Sequence, residues 1–327
     1  MINSSKLKKY IIAIFFSVTF FYSASALKAE IKVVTTIQPL HSLVANVMDG
    51  SGDLGLILEG SASPHNFSLK PSHARMLEKA DVIFWFGEDL ETFLEKSLKT
   101  ISTKAKIISF MKLNEIPKLK FREKNIFKHD DHDDHKDEHK DGHDDHKDEH
   151  GHKDAHGHAH GEFDVHLWLD PINAKLMVKE IAHVLSEIDP SNAKKYNENA
   201  DKTSLKIDIM VLEINKSINK KARFITFHDA YQYFEKRFKV PSMGALTVNT
   251  DVQPGAKQIS KIRKHVKEEN IKCIFSEPQF NPKIINVIAE STNIKTGVFD
   301  PLGSTFKPGK SLYFSLIKDL SKNLSGC

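Results

Sequence analysis

Short apolar runs alternate with stretches of helical spacing along most of the chain. Residues 31–36, 54–58, 82–86 and 107–109 are rich in β-branched and aromatic side chains with little polar alternation. That is the pattern of strands buried on both faces of a parallel sheet. Between them, residues 39–48, 71–79 and 91–99 carry helical periodicity, and the first two begin at Pro39 and Pro71. Proline suits a first helical turn, where its missing N–H would have no partner anyway. The alternation returns later, with strands over 223–227, 243–246, 271–276 and 296–299 and helices over 230–238, 255–269 and 282–291. Separating the two sets, residues 172–188 and 192 to about 218 read as helices divided by Asp189-Pro190-Ser191, which breaks one and caps the next. The expected fold is α/β: two similar lobes, each a four-stranded mainly parallel sheet with flanking helices, joined by one long connecting helix. At 1.5 Å per residue, the roughly 27-residue connector spans about 40 Å, enough to run along both lobes.

The two ends of the chain add constraints of a different kind. Lys6, Lys8 and Lys9 precede an apolar run over 10–22 and then Ser23-Ala24-Ser25-Ala26, the order of a secretory signal peptide cut near Ala26 or at Ala29. No Cys follows the run, and no later apolar stretch approaches the roughly 20 residues of a membrane span. The mature protein is therefore expected in the periplasm without a lipid anchor. The expected organisation is a signal peptide over 1–26, a first lobe over 30–171, a helical region over 172–221 and a second lobe over 222–327. Cys273 and Cys327 are the two cysteines of the chain. In an oxidising compartment they are most simply one disulfide, against a metal–thiolate role that would need reduced thiols.

Charge is unevenly spread. The net charge is +4, yet the run 129–160 holds twelve Asp or Glu against four Lys, so the folded remainder is clearly basic. Its lysines are scattered singly without interleaved aromatics, which argues against nucleic acid as a partner. The same run contains His129, His132, His135, His139, His143, His146, His150, His152, His156, His158 and His160. With no aliphatic side chain larger than Ala155, the insertion over 128–162 is expected to be disordered and to hold divalent transition metals loosely.

Ligands of open parallel sheets bind beyond the carboxyl ends of strands. His65 comes shortly after the second predicted strand, and His228, Glu277 and Asp300 directly follow the fifth, seventh and eighth. His166 lies in the apolar phrase Val165-His166-Leu167-Trp168-Leu169-Asp170-Pro171. Three ordered histidines and nearby carboxylates are zinc chemistry, although ligands so far apart in sequence obey no spacing rule. His41, His73, His183 and His265 lie on helical patterns, where histidine more often packs than ligates.

At this point the residues resemble a known family. Ser63-Pro64-His65-Asn66-Phe67, His166-Leu167-Trp168-Leu169-Asp170-Pro171, Phe227-His228-Asp229-Ala230-Tyr231, Gln253-Pro254-Gly255-Ala256 and Ser276-Glu277-Pro278-Gln279-Phe280 are similar to the periplasmic zinc-binding subunit of bacterial ABC importers, the ZnuA type. The acidic His-rich run before His166 and the late Cys pair resemble that family too. The resemblance implies metal in a cleft between the lobes, with His65, His166 and His228 at the ligand positions. Some members carry Glu before the first histidine; Pro64 stands there in this chain, which leaves the fourth ligand to water or to Asp300, with Glu277 behind the site. It also implies Zn2+ as the bound ion, a monomer, and an inner-membrane ABC permease with its ATPase as partners. The alternatives are a manganese or iron binder of the same fold, a surface adhesin, and a zinc-dependent hydrolase. For the hydrolase Glu277 offers a general base but nothing supplies a substrate pocket, so an enzyme is not expected. Manganese prefers more oxygen donors than three imidazoles leave room for. Protons should compete with the ion, by up to about a thousandfold in affinity per pH unit for three imidazoles.

Overall fold

The computed structural model describes residues 30–122, 161–247, 250 and 254–327. The expected signal peptide and the histidines of the 129–160 run lie outside the described residues. In the first lobe β1 (Lys32–Thr35), β2 (Asp53–Leu56), β3 (Val82–Trp85) and β4 (Lys106–Ser109) form one parallel sheet in the order β2-β1-β3-β4. Helices α1 (Gln38–Met48), α2 (Pro71–Lys79) and α3 (Thr92–Thr100) connect them. The second lobe repeats this with β5 (Phe224–His228), β6 (Ala245–Thr247), β7 (Cys273–Ser276) and β8 (Lys295–Val298), ordered β6-β5-β7-β8 and again parallel. Its helices are α6 (Gln232–Phe238), α7 (Ala256–Glu268) and α8 (Lys283–Thr292), and α4 (Pro171–Ile188) and α5 (Ala193–Ser217) stand between the lobes. With 25 residues, α5 is about 38 Å long at the usual rise.

Adjacent strand residues serve different cores, which explains why these strands carry no polar alternation. Val33, Val82 and Phe84 join a core packed on α4 and α5, whereas Val34, Ile83 and Trp85 join one packed on α2 and α3. In the second lobe Phe224 and Phe275 face inward and Ile225, Phe227 and Ile274 face α7 and α8. The inward faces of both sheets belong to a single apolar cluster that runs through α1, α4 and α5. No helix among the described residues is long and apolar enough to cross a membrane.

One element lies outside the expected pattern. After β8 the chain crosses back, and α9 (Leu312–Asn323) lays Tyr313, Leu316, Ile317 and Leu320 into the inward core. Ser42 on α1 donates to Lys310 O at 3.2 Å and accepts from Tyr313 N at 3.0 Å, while Tyr313 Oη donates to Trp168 O at 2.9 Å. The final residue then returns to the second sheet, because Cys327 is bonded to Cys273 at the start of β7.

At the carboxyl end of the first sheet a side chain is fully enclosed. Glu91 accepts from Thr36 Oγ1 with one carboxyl oxygen, and from Phe86 N at 2.8 Å and Gly87 N at 3.0 Å with the other. Gly87 has φ 144°, a conformation side-chain-bearing residues rarely adopt. Burial raises the Glu91 pKa to about 7, against the pull of Thr36 and the two amides.

Two outcomes follow for stability. Reducing the disulfide, which joins residues 54 apart in sequence, should cost about 2–4 kcal/mol, read as a lower urea midpoint in the presence of reductant. Mass spectrometry of unreduced digests should link the Cys273 and Cys327 peptides. A carboxyl whose folded pKa is raised contributes stability that is complete below its ordinary value and disappears as pH climbs through the folded value. For Glu91 that window closes near pH 7, so the unfolding free energy from urea titrations should fall between about pH 4.5 and 7 by up to roughly 3 kcal/mol. In Glu91→Gln, whose amide can meet the same partners, that part of the slope should vanish.

Candidate metal centre

Three segments deliver one imidazole each. His65 sits in the single 3₁₀ turn Pro64–Asn66 that follows β2, where Ser63 Oγ accepts from His65 N at 3.3 Å. His166 precedes the 3₁₀ turn Leu167–Leu169, whose three side chains are wholly buried. Asp170 ends that turn, caps α4 by accepting from Ile172 N at 2.8 Å, and holds Arg237 of the second lobe through Nε at 2.7 Å and Nη2 at 2.8 Å. His228 is the last residue of β5 rather than the residue after it. Both β5 and β7 flank the point where the strand order reverses, so His228 and Glu277 emerge at the crevice of the second sheet.

Two of the rings are oriented from behind. His166 Nδ1 is 2.7 Å from Asp164 Oδ1, which also accepts from His166 N at 3.0 Å. His228 Nδ1 is 2.7 and 2.8 Å from the two oxygens of Glu277. A carboxylate facing Nδ1 puts the proton there and leaves Nε2 with its lone pair. The two Nε2 atoms then face each other at 3.4 Å. Two lone pairs so close attract only through a cation between them, and zinc–nitrogen bonds of about 2.0–2.1 Å at the tetrahedral angle put neighbouring nitrogens roughly 3.3 Å apart. His65 completes the group: ligand atoms of His65, His166 and His228 all lie within 4.8 Å of one another. The three rings, with Ser63, Pro64, Trp168, Glu277 and Gln279, line one cleft.

The electrostatics separate the two buried rings. Burial holds His166 well below the ordinary histidine range, and charge on His228 pushes the same way. Burial acts downward on His228 as well, but the charge and hydrogen bond of Glu277, helped by Asp229 and Asp164, outweigh it and leave its pKa raised. Asp164 is lifted to about 7 by burial, opposed by the His166 amide and the Arg122 charge.

Asp300 occupies a different environment. Its Oδ1 accepts from Gln279 Nε2 at 3.0 Å and Leu302 N at 3.2 Å, and its Oδ2 from Ser304 Oγ at 2.9 Å and Thr305 N at 3.2 Å. With two donors on each oxygen, it stands outside the group of potential ligands found among the described residues. The helical histidines do other work: His265 bonds Met243 O at 3.0 Å and His73 Nδ1 accepts from Lys70 N at 3.2 Å.

Sequence reasoning gave no role to Asp164 or Arg122. The Asp-x-His spacing was a usable signal, since a short acidic side chain reaches the backbone N–H two residues on. Arg122 had none, because its partners Asp229 and Glu235 are more than a hundred residues away. It bonds Asp229 Oδ2 through Nε at 2.8 Å and Glu235 through Nη1 at 2.8 Å, beside His228 in sequence. Next to it, an antiparallel bridge between Lys120 and Phe163 brings together the two ends of the stretch that contains the 129–160 run.

Over residues 33–327 the chain matches the family described as zinc-uptake complex component A, periplasmic. The high-affinity zinc uptake system protein ZnuA of Brucella abortus is 46% identical over 303 residues, covering 90% of this chain and 91% of that protein. The protein of the same name from Yersinia pestis is 33% identical over 302 residues, covering 91% and 92%. In fold, the chain is similar to a crystal structure of ZnuA, with a TM-score of 0.70 at 20% identity over 90% of this chain and 99% of that one. It is also similar to the laminin-binding adhesin of Streptococcus agalactiae, with a TM-score of 0.68 at 23% identity over 90% and 99%. The chain belongs to the zinc-uptake complex component A family of periplasmic proteins.

Proposed function

We propose that the protein captures Zn2+ in the periplasm with His65, His166 and His228 and delivers it to an ABC permease, with its ATPase, for import. The observation that carries this reading is the 3.4 Å separation of two buried, carboxylate-backed Nε2 atoms, which matches the edge of a zinc tetrahedron. Three nitrogens without a free carboxylate oxygen among them favour zinc over manganese. The family is a component of an uptake complex rather than an enzyme. The run 129–160 serves as a looser collector of the same ion, and the protein works as a monomer.

Zinc titrations against a competing chelator test the ligand set. Asp164→Asn and Glu277→Gln should weaken the tight site by roughly 10–100-fold, the usual effect of losing an outer partner. Substituting Ala for His65, His166 or His228 should each cost more than that, and His73→Ala should cost nothing. Equal binding by all of these variants would reject the assignment. Calorimetry of a variant lacking residues 129–160 should retain one tight zinc and lose the weaker ones.

Acid should release the ion in a particular way. Because the pKa of His228 is raised, a proton arrives there first as pH falls, and it takes the zinc's place as an N–H···N bond to His166. His166, held well below the ordinary range, does not take up a second proton on the pair. Affinity should therefore decline between about pH 7 and 5, by no more than about a hundredfold per pH unit, because at most two protons are displaced. A profile that stays flat over that range means carboxylates hold the ion.

A further inference from the structure

The turn after β7 carries an amide whose direction is fixed and whose oxygen is idle. Gln279 Nε2 donates to Asp300 Oδ1 at 3.0 Å. Asp300 is already an acceptor for Leu302 N, Ser304 Oγ and Thr305 N, so it calls for a donor and the amide cannot be turned round. Gln279 Oε1 must then face away from Asp300, and it is buried without a hydrogen-bond partner. A buried acceptor left so costs about 1–3 kcal/mol unless something supplies a donor. Gln279 lines the same cleft as the three imidazoles. Its neighbours in the turn both meet His228, Glu277 through Nδ1 at 2.7 Å and Phe280 through ring contact at 5.8 Å.

We propose that Gln279 Oε1 accepts a hydrogen bond from a water in the fourth coordination position of the ion, and that Asp300 acts through Gln279 instead of ligating. This rests on the three-histidine reading above. A water on zinc is a stronger donor than bulk water, because the ion draws charge from its oxygen. A carboxylate in the place of Gln279 would accept that bond and then the proton, leaving hydroxide on the metal. An amide oxygen accepts the bond and is too weak a base to take the proton. Gln279 thus favours a neutral, protic, exchangeable fourth ligand, which suits an ion that has to be given up. It also disfavours small anions without a proton to donate.

The test uses the full chain loaded with one equivalent of Co2+, whose visible absorption reports coordination, titrated with azide. In the unsubstituted protein azide must displace the water and lose its bond to Gln279. Gln279→Met keeps the side-chain length and removes the acceptor, so azide should bind about three- to tenfold more tightly, the equivalent of one hydrogen bond. Asp300→Asn should have a similar effect alone and little further effect in the Gln279→Met background, because the two residues act as one unit. Azide affinity unchanged by Gln279→Met, or full additivity of the two substitutions, overturns the proposal while leaving the three histidines in place. If the Met variant fails to fold, Gln279→Asn, which retracts the oxygen by one methylene, is judged by the same criterion. Failure of the underlying reading looks different: His65→Ala and His228→Ala would then leave the tetrahedral Co2+ spectrum of the unsubstituted protein unaltered.

Discussion

An imidazole can give a metal only the nitrogen that bears no proton, and the centre is built around enforcing that choice. Asp164 and Glu277 do it by claiming the Nδ1 protons of His166 and His228 at 2.7 Å. The cost is two buried lone pairs facing each other at 3.4 Å. A cation between them, a metal ion or a proton held by His228, relieves that opposition, so the arrangement of the two rings carries a preference for positive charge. The acids behind the rings lie within 1% of full burial, where a carboxylate is tolerated only while its hydrogen bonds are complete.

Holding that arrangement requires the two lobes to agree on position, because His166 and His228 belong to different ones. Several ties cross between them close to the rings. Trp168 Nε1 donates to Pro301 O at 2.7 Å, Tyr233 Oη to Asp164 O at 2.8 Å, and Arg122 spans to Asp229 and Glu235. Behind these lies one apolar core common to both inward sheet faces. Large rotations of one lobe against the other would shear close-packed side chains, so movement is more easily confined to the His65 turn, the half-buried member of the triad.

Much of this was legible in the chain and some was not, for identifiable reasons. The central strands β1, β3, β5 and β7 announced themselves because burial on both faces leaves little polar alternation to blur the signal, and His228 and Glu277 were found because strand ends are where such sheets place ligands. The Cys273–Cys327 bond followed from the compartment. The helix Leu312–Asn323 went unread, although Leu312, Leu316 and Leu320 repeat at every fourth residue, because nothing local says that the chain crosses back to α1. Asp300 stood at a promising strand end, yet the donors that surround it come from residues 302–305 and 279, a loop closure no periodicity encodes. The different proton affinities of His166 and His228 depend on which carboxylate lies behind which ring, and that is knowledge of contacts alone.

The enclosed carboxyl of Glu91 has a meaning beyond its own energetics. The two sheets share one strand order, so β1 and β3 of the first correspond to β5 and β7 of the second. Thr36 and the Phe86–Gly87 amides around Glu91 therefore lie at the carboxyl ends of the strands that correspond to those leading to His228 and Glu277 in the other lobe. The first lobe has stoppered its own crevice with one of its side chains. On the reading proposed above, what it offers the ion comes from the rim, through His65 and His166, while His228 stands at the open crevice of the second lobe. Among the described residues, two lobes with one strand order thus differ in having one crevice plugged and the other open.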